Sequence, residues 1–142
     1  MDTSFLLDIK RLDDYYRNLR FQTGIWSRLV WLDKGRQLVF IHSGIDLDPQ
    51  QFSEEGWILS FNELFLQDFL QRYPEHYNHS LLLEKGPVYA TIPLTEPLKK
   101  ELNELAALLS QAIKNGQSGL YLQSYADLIL LNANNTYAKV DS

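Results

Sequence analysis

The sequence predicts an α+β domain in which a small antiparallel sheet or partial barrel precedes a layer of helices. Three observations support this prediction. The N-terminal half has strand character, with short apolar runs rich in β-branched and aromatic residues. The C-terminal half repeats apolar residues at helical spacing. The chain has 142 residues, 45% of them hydrophobic and 22% charged, which is typical of one globular domain. We assign residues 1–61 to the β-rich part, 62–137 to the helical part and 138–142 to a tail or the start of a linker.

Composition and charge exclude several classes of function. The chain contains no cysteine, which rules out disulfides, thiol chemistry and cysteine-type zinc sites. Its net charge is −5, which argues against direct binding to nucleic acid because phosphate contacts require a basic surface. The N-terminus lacks the basic and apolar regions of a signal peptide, and no apolar run approaches a membrane span. We therefore expect a cytoplasmic protein without membrane contact.

Three clear strands are predicted in the first 61 residues, after an N-terminal segment of ambiguous pattern. Phe5, Leu7 and Ile9 alternate as in a strand, and a short helical turn can follow from Asp13. Residues 25–32 and 38–41 are apolar runs joined by "DKGR", which indicates a β-hairpin with Gly35 at a positive φ angle. Residues 42–56 have the composition of a loop. Residues 57–61 form the third strand.

The stretch "EEGWILSFNELFLQDFL", residues 54–70, changes from strand to helix periodicity without an intervening loop. One interpretation is a capping box formed by Ser60 and Glu63, with Leu59 and Leu64 as its hydrophobic staple. The alternative N-cap is Asn62. In both cases the helix begins immediately after the strand, and an apolar stripe follows at Leu64, Phe65, Leu66, Phe69 and Leu70.

Two longer helices are predicted after an irregular segment that contains three prolines. Thr95 is the expected N-cap of the first, and Pro97 lies in its first turn, where proline is tolerated. This helix carries a heptad stripe: Leu98, Leu102, Leu105, Leu109 and Ala112. The last helix spans about residues 120–137 and is apolar almost all round, so we expect it to be largely buried. The short loop between the two helices favours an antiparallel α-hairpin.

Three segments together resemble the N-terminal domain of AraC/XylS-type transcriptional regulators. "GWILSFNELFL" is similar to the junction between the last barrel strand and the first helix of that family, and the matching positions are Gly56, Trp57, Leu59, Phe61, Phe65 and Leu66. "QLVFIHSG" resembles the preceding strand, with Ser43 where proline is common. "LYLQSYADLILLNANNTY" resembles the final helix, with matches at Gln123, Ser124, Tyr125, Leu128, Leu130, Leu131, Ala133, Asn134 and Tyr137. The family's helix-turn-helix motifs are absent, and the β-rich part is short for a full barrel.

The resemblance implies a reduced cupin-like barrel that binds a small-molecule effector, a helical layer that forms a homodimer, and DNA contact only through the missing helix-turn-helix domain. The effector pocket is expected to use aromatic residues and one cation: Trp26, Arg28, Trp31, Phe40 and Trp57. The dimer interface is expected on the heptad stripe. For the aromatic residues and for the heptad stripe the alternative is packing in the core of the chain. Arg28 is the candidate anchor for an acidic effector, and its alternative is a residue of the surface or of a strand edge.

Catalysis and metal binding are not predicted. "HYNH" places His76 and His79 three residues apart, but a proline precedes them and no third ligand is indicated. His42 beside Ser43 lacks the sequence context of a catalytic triad. We therefore expect neither an enzyme nor a cofactor. The competing hypothesis for the whole chain is a stand-alone protein–protein interaction domain without an effector.

Overall fold

The computed structural model describes residues 7–13, 26–42, 54–76 and 90–141. These ranges contain five strands: β1 (Leu7–Arg11), β2 (Ser27–Leu32), β3 (Gln37–Ile41), β4 (Gly56–Phe61) and β5 (Ala90–Pro93). They also contain a 3₁₀ turn (Pro74–His76) and three α-helices: α1 (Glu63–Arg72), α2 (Glu96–Lys114) and α3 (Gly119–Asp141). The predicted α+β class is confirmed. The predictions for Phe5, His79 and most of the 42–56 loop fall outside the described residues.

The five strands form one antiparallel sheet in the order β1-β4-β2-β3-β5. β2 and β3 form the predicted hairpin, with Val30 opposite Val39. β4 lies between β1 and β2, with Leu59 opposite both Ile9 and Leu29. β1 and β5 are the edge strands of the described sheet, so closure into a barrel remains a prediction.

Alternation along the strands gives the sheet two apolar faces. The helix face, which packs against the helices, carries Leu29, Trp31, Leu38, Phe40 and Leu59 in one buried cluster with residues of all three helices. The second face carries a smaller buried cluster: Leu12, Val30, Val39, Ile41 and Ile58. Because both faces are buried, the central strands contain few polar residues, which explains why the sequence shows apolar runs rather than strict alternation.

Asn62 alone separates β4 from α1. Its side chain accepts a hydrogen bond of 3.0 Å from the backbone N–H of Phe65, which makes Asn62 the N-cap. The prediction of a Ser60 capping box is therefore wrong. The staple is also wrong, because Leu64 is 53% exposed while Leu59 is buried on the helix face. The later cap turns Leu64 outward and directs Phe65, Leu66, Phe69 and Leu70 into the core.

The first of the two long helices, α2, begins and ends with capping motifs that the sequence specifies. The Thr95 side chain accepts a hydrogen bond from the Leu98 N–H at 3.3 Å, as predicted. α2 ends in a Schellman motif, with Gly116 at φ 66° and hydrogen bonds from Gly116 N to Ile113 O and from Gln117 N to Ala112 O. α2 and α3 then pack against each other. No helix in the described part of the chain combines the length and apolar character that a membrane span requires.

Two local predictions are corrected by the structure. Gly35 has no positive φ; its N–H donates to Leu32 O at 3.0 Å and closes a turn in which glycine occupies the last position. β5 falls in a segment that we predicted to be irregular. It pairs with β3, placing Ile92 opposite Leu38. Pro93 is tolerated because β5 is an edge strand of the described sheet.

Gly56→Ala should destabilise the protein by about 3 kcal/mol, at the upper end of the cost of overpacking. A Cβ atom at this position would lie 2.4 Å from Trp31 O and 2.8 Å from Leu32 Cα, which are backbone atoms of the neighbouring strand. Gly116→Ala is the control: its Cβ would meet no atom within 4 Å, so only the left-handed backbone costs about 1 kcal/mol. Urea unfolding of both variants measures the difference. An equal loss in the two variants would contradict the close approach of β4 to β2.

Candidate functional site

A row of polar side chains crosses the second face of the sheet at one end. Asp8 on β1 lies opposite Ser60 on β4, and Ser60 lies opposite Arg28 on β2. Arg28 and Ser60 are both buried. The Cα atoms of Asp8 and Arg28 are two strand spacings apart, about 10 Å, so an arginine side chain extends over most of that distance. The row brings a cation, a hydroxyl and a carboxyl group to one side of the sheet.

Burial shifts the protonation equilibrium of Asp8, the carboxyl group in this row. It raises the pKa of Asp8 above its ordinary value, although the Lys10 ammonium nearby acts in the opposite direction. Lys10 Nζ lies 3.4 Å from Asp8 Oδ2. The desolvation cost of the ionised carboxylate thus exceeds the attraction of its partner. Asp8 is consequently easier to protonate than a solvated aspartate.

A groove of about 430 Å³ lies on the second face, towards the β2–β3 turn. Val30, Leu32 and Val39 contribute its apolar part, and Arg36, Gln37 and Thr91 contribute polar groups; Trp31 and Gly35 also line it. Val30 follows Arg28 by two residues on the same strand face, about 7 Å along the strand. The groove and the polar row are therefore neighbours. A mostly apolar concavity with a few polar groups is the usual form of a small-molecule site.

The residues predicted to form an effector pocket are divided between the two faces of the described sheet. Trp31 and Phe40 are completely buried on the helix face, and Trp57 packs against the same core. Trp31 Nε1 donates to Asn103 Oδ1 of α2 at 2.9 Å, which fixes the indole in the core. Arg28 lies on the second face, and Trp26 precedes β2. The alternative of core packing accounts for the three aromatic residues, while Arg28 remains part of the candidate site.

The heptad stripe predicted as a dimer interface lies in the core of the chain itself. Leu102, Leu105, Leu109 and Ala112 are buried, and Leu98 is partly buried against the same cluster. The cluster includes residues of α3 such as Ile129. Side chains that are buried in this way have no surface left to offer a partner. A homodimer would need another face of the helices.

A buried ionic cluster that no local sequence pattern indicates joins the end of α1 to α3. Asp127 is almost completely buried and accepts hydrogen bonds from Arg72 Nε at 3.0 Å, Arg72 Nη2 at 2.7 Å and Tyr73 Oη at 3.2 Å. Burial raises the pKa of Asp127, while Arg72 and Tyr73 oppose that shift. Fifty-five residues separate Arg72 from Asp127, so only the fold brings them together. This Asp127 cluster fixes the orientation of α1.

A second set of ionic contacts connects β1, the β2–β3 turn and α2. Arg11 pairs with Asp33, and its guanidinium lies over the Trp57 ring at 4.9 Å from the centroid. The buried Lys99 donates to the backbone oxygen of Asp33 at 3.1 Å. The charged groups of Arg11 and Lys99 both bind Asp33 within the fold, so we assign a structural role to these contacts.

One structural observation and the comparisons with known proteins bear on the candidate site. Within the residues that the structure describes, no group of three His, Asp or Glu side chains is placed to hold a metal ion. No protein-family model matches the chain, and no curated protein or solved structure matches it.

Proposed function

We propose that the chain is the effector-binding and dimerising domain of a cytoplasmic transcription regulator of the AraC/XylS type. In this proposal it is not an enzyme, and DNA is contacted by a separate helix-turn-helix domain. The sheet would belong to a reduced cupin-like barrel, and α2 and α3 would form an antiparallel α-hairpin. The resemblance of three segments motivates the family, and the net charge of −5 suits a part that does not touch DNA.

The observation that carries the effector-binding part is the second face of the sheet. It combines an apolar groove of about 430 Å³ with a neighbouring row of polar groups that includes the buried Arg28. A buried guanidinium suits a carboxylate, with which it forms paired charge-assisted hydrogen bonds. The effector class that fits best is a small organic acid with an apolar body.

The β4–α1 junction connects this site to the helices. β4 contributes Ser60 and Ile58 to the second face, and α1 follows after the single residue Asn62. The Asp127 cluster then ties the end of α1 to α3. An effector that favours one orientation of β4 would thereby favour one arrangement of the helices, which is a population shift.

A panel of small organic acids, each paired with its neutral amide, tests the proposal; benzoate and benzamide are one such pair. We expect an acid to raise the melting temperature through binding to the native state, and its amide to have a much smaller effect. Thr91→Trp should abolish the shift, because Thr91 is an exposed residue that lines the groove. Glu104→Trp, on the exposed side of α2, is the matched control and should retain it. If no acid binds, or if Thr91→Trp binds as well as Glu104→Trp, the groove is not an effector site.

The second candidate function is a stand-alone protein–protein interaction domain. Its support is a set of large apolar side chains that are exposed on the helices: Leu64, Leu108, Leu120, Tyr121 and Leu128. A contiguous patch of exposed apolar residues marks a contact site, whereas single ones are ordinary, so this candidate requires that these side chains lie together. Affinity for a different protein, without any ligand for the groove, would favour this candidate over the first.

A further inference from the structure

The turn between α2 and α3 contains the one asparagine of the chain that is followed directly by glycine, Asn115–Gly116. Asn115 is the C-cap of α2, and Gly116 is the residue after it. Both residues are exposed, and a Cβ atom added at Gly116 would meet nothing within 4 Å. The amide side chain of Asn115 and the backbone that follows it therefore have room to move and are open to water.

An asparagine that precedes glycine can lose its side-chain amide without an enzyme. The backbone nitrogen of the glycine attacks Cγ, the side-chain carbonyl carbon, and closes a five-membered succinimide ring. The new bond from this nitrogen to Cγ replaces the bond from Cγ to Nδ2, which leaves as ammonia and takes up the proton of the backbone N–H. Glycine favours the ring because no Cβ crowds the attacking nitrogen and because its backbone rotates freely.

Water then opens the ring at one of its two carbonyl carbons. Attack on Cγ gives aspartate, whereas attack on the backbone carbonyl carbon gives isoaspartate, in which the main chain runs through Cβ and Cγ. Both products replace a neutral amide with a carboxylate, so the net charge of the chain changes from −5 to −5 − 1 = −6. Neither an oxidant nor a reductant is required, since water supplies the oxygen and ammonia is the leaving group.

The folded turn controls when the ring can close. Asn115 has a ψ angle of 0°, and the Gly116 N–H donates to Ile113 O at 3.1 Å. In this conformation the nitrogen points back into the end of the helix, so Asn115 must first rotate about its Cα–C bond and break that hydrogen bond. The side chain is already in place, because Asn115 Oδ1 accepts from Gln111 Nε2 at 3.4 Å. Opening of an exposed helix end is local, and it costs far less than global unfolding.

We propose that Asn115–Gly116 is a site of spontaneous modification, at which the folded protein converts slowly into aspartate and isoaspartate forms through local opening of the α2 C-terminus. The new carboxylate lies at the end of α2, where the helix dipole disfavours negative charge. In the isoaspartate form an additional backbone atom enters the connection between α2 and α3, so the hydrogen bonds of the Schellman motif lose their register. The conversion therefore loosens the connection between the two long helices, and it requires neither an effector nor a DNA-binding domain.

Peptide mapping by mass spectrometry tests the site after prolonged incubation of the folded protein in mildly alkaline buffer. We expect progressive conversion of Asn115, many-fold faster than that of Asn135, an exposed asparagine of α3 that is followed by threonine. Asn115→Gln should lack the acidic form at this position, because glutamine would have to close a less favourable six-membered ring. Equal rates at Asn115 and Asn135, or no conversion of Asn115, would overturn the proposal.

A series of urea concentrations below the unfolding transition distinguishes local opening from global unfolding. Global unfolding becomes about tenfold more frequent with each added molar of urea, whereas opening of one turn exposes little surface and changes little. We expect the rate of Asn115 conversion to stay within about twofold across the series. A rate that rises in parallel with the unfolded fraction would refute conversion through local opening.

The consequence for the helices is tested on the isoaspartate form after its separation by ion exchange. Its melting temperature should lie below that of Asn115→Asp, the matched control that carries the same charge without the additional backbone atom. Asn115→Asp should itself melt slightly below the wild type because of the helix dipole. Equal melting temperatures for the wild type and the isoaspartate form would contradict a loosened connection between α2 and α3.

Discussion

Leu109→Ala should lower the free energy of unfolding by about 2–5 kcal/mol, whereas Leu108→Ala should lower it by less than about 1 kcal/mol. The two leucines are neighbours in α2, so the change in helix propensity is the same for both. Leu109 is completely buried in the cluster between the sheet and α3, and Leu108 is half exposed. The difference between the variants therefore measures the loss of core packing alone.

Chemical denaturation of the two variants, together with their masses in solution, decides the role of the heptad stripe. Because Leu109 is buried within a single chain, Leu109→Ala should destabilise the monomer, and any dimer should be lost only because the monomer unfolds. A stable, folded monomer from Leu109→Ala would instead show that the stripe contacts a partner. That result would restore the dimer interface predicted from the sequence.

Arg72→Met should destabilise the protein by about 3 kcal/mol, at the lower end of the cost of breaking a buried ion pair. The Asp127 side chain is only 5% exposed, so loss of Arg72 leaves a buried carboxylate with one donor, Tyr73. The lower end applies because the Arg72 side chain is itself 27% exposed. Arg36→Met is the control, since Arg36 is an exposed arginine and its replacement should change stability by less than about 0.5 kcal/mol.

The double variant Arg72→Met/Asp127→Leu should recover most of the loss, because an apolar pair of similar size replaces both charges. pH provides a further check. Loss of Arg72 raises the native pKa of Asp127 further, so the penalty is complete above that pKa and shrinks as the pH falls through it. Denaturant unfolding of the single and double variants at neutral and acidic pH tests both expectations. A penalty independent of pH and persisting in the double variant would mean that Arg72 acts through its packing on Phe65.

Local patterns in the sequence predicted most elements of the fold. The β2–β3 hairpin, the immediate change from β4 to α1, the Thr95 cap and the two long helices depend on residues that are close in sequence. The predictions that were wrong had one of two causes. Either the N-cap lay two residues further along the chain, or the structure depended on contacts between residues distant in sequence. The alternative N-cap, Asn62, rotated α1 and exposed Leu64, and the pairing of β5 with β3 required a partner some 50 residues away in the chain.

The candidate site could be predicted only in part. Alternation places Arg28 and Trp31 on opposite faces of β2. Which residues of the other strands share those faces depends on the pairing of the strands. Trp31 lies opposite Trp57, and Ser60 lies between Asp8 and Arg28. No local pattern in the sequence indicates that β4 lies between β1 and β2. For that reason the polar row was missed. The predicted pocket combined Arg28 with Trp31 although alternation along β2 already places them on opposite faces.

The strand order also determines when each part of the sheet is completed during synthesis. The one described neighbour of β1 is β4, and paired residues are between 57 − 11 = 46 and 61 − 7 = 54 positions apart. At about 5–20 residues per second, a ribosome needs about 2–11 s to make that stretch. The β2–β3 hairpin has all its residues before then, whereas β1 lacks its described partner, β4, until that stretch is made. Because α1 follows β4 directly, the strand that completes β1 also brings the first helix onto the sheet.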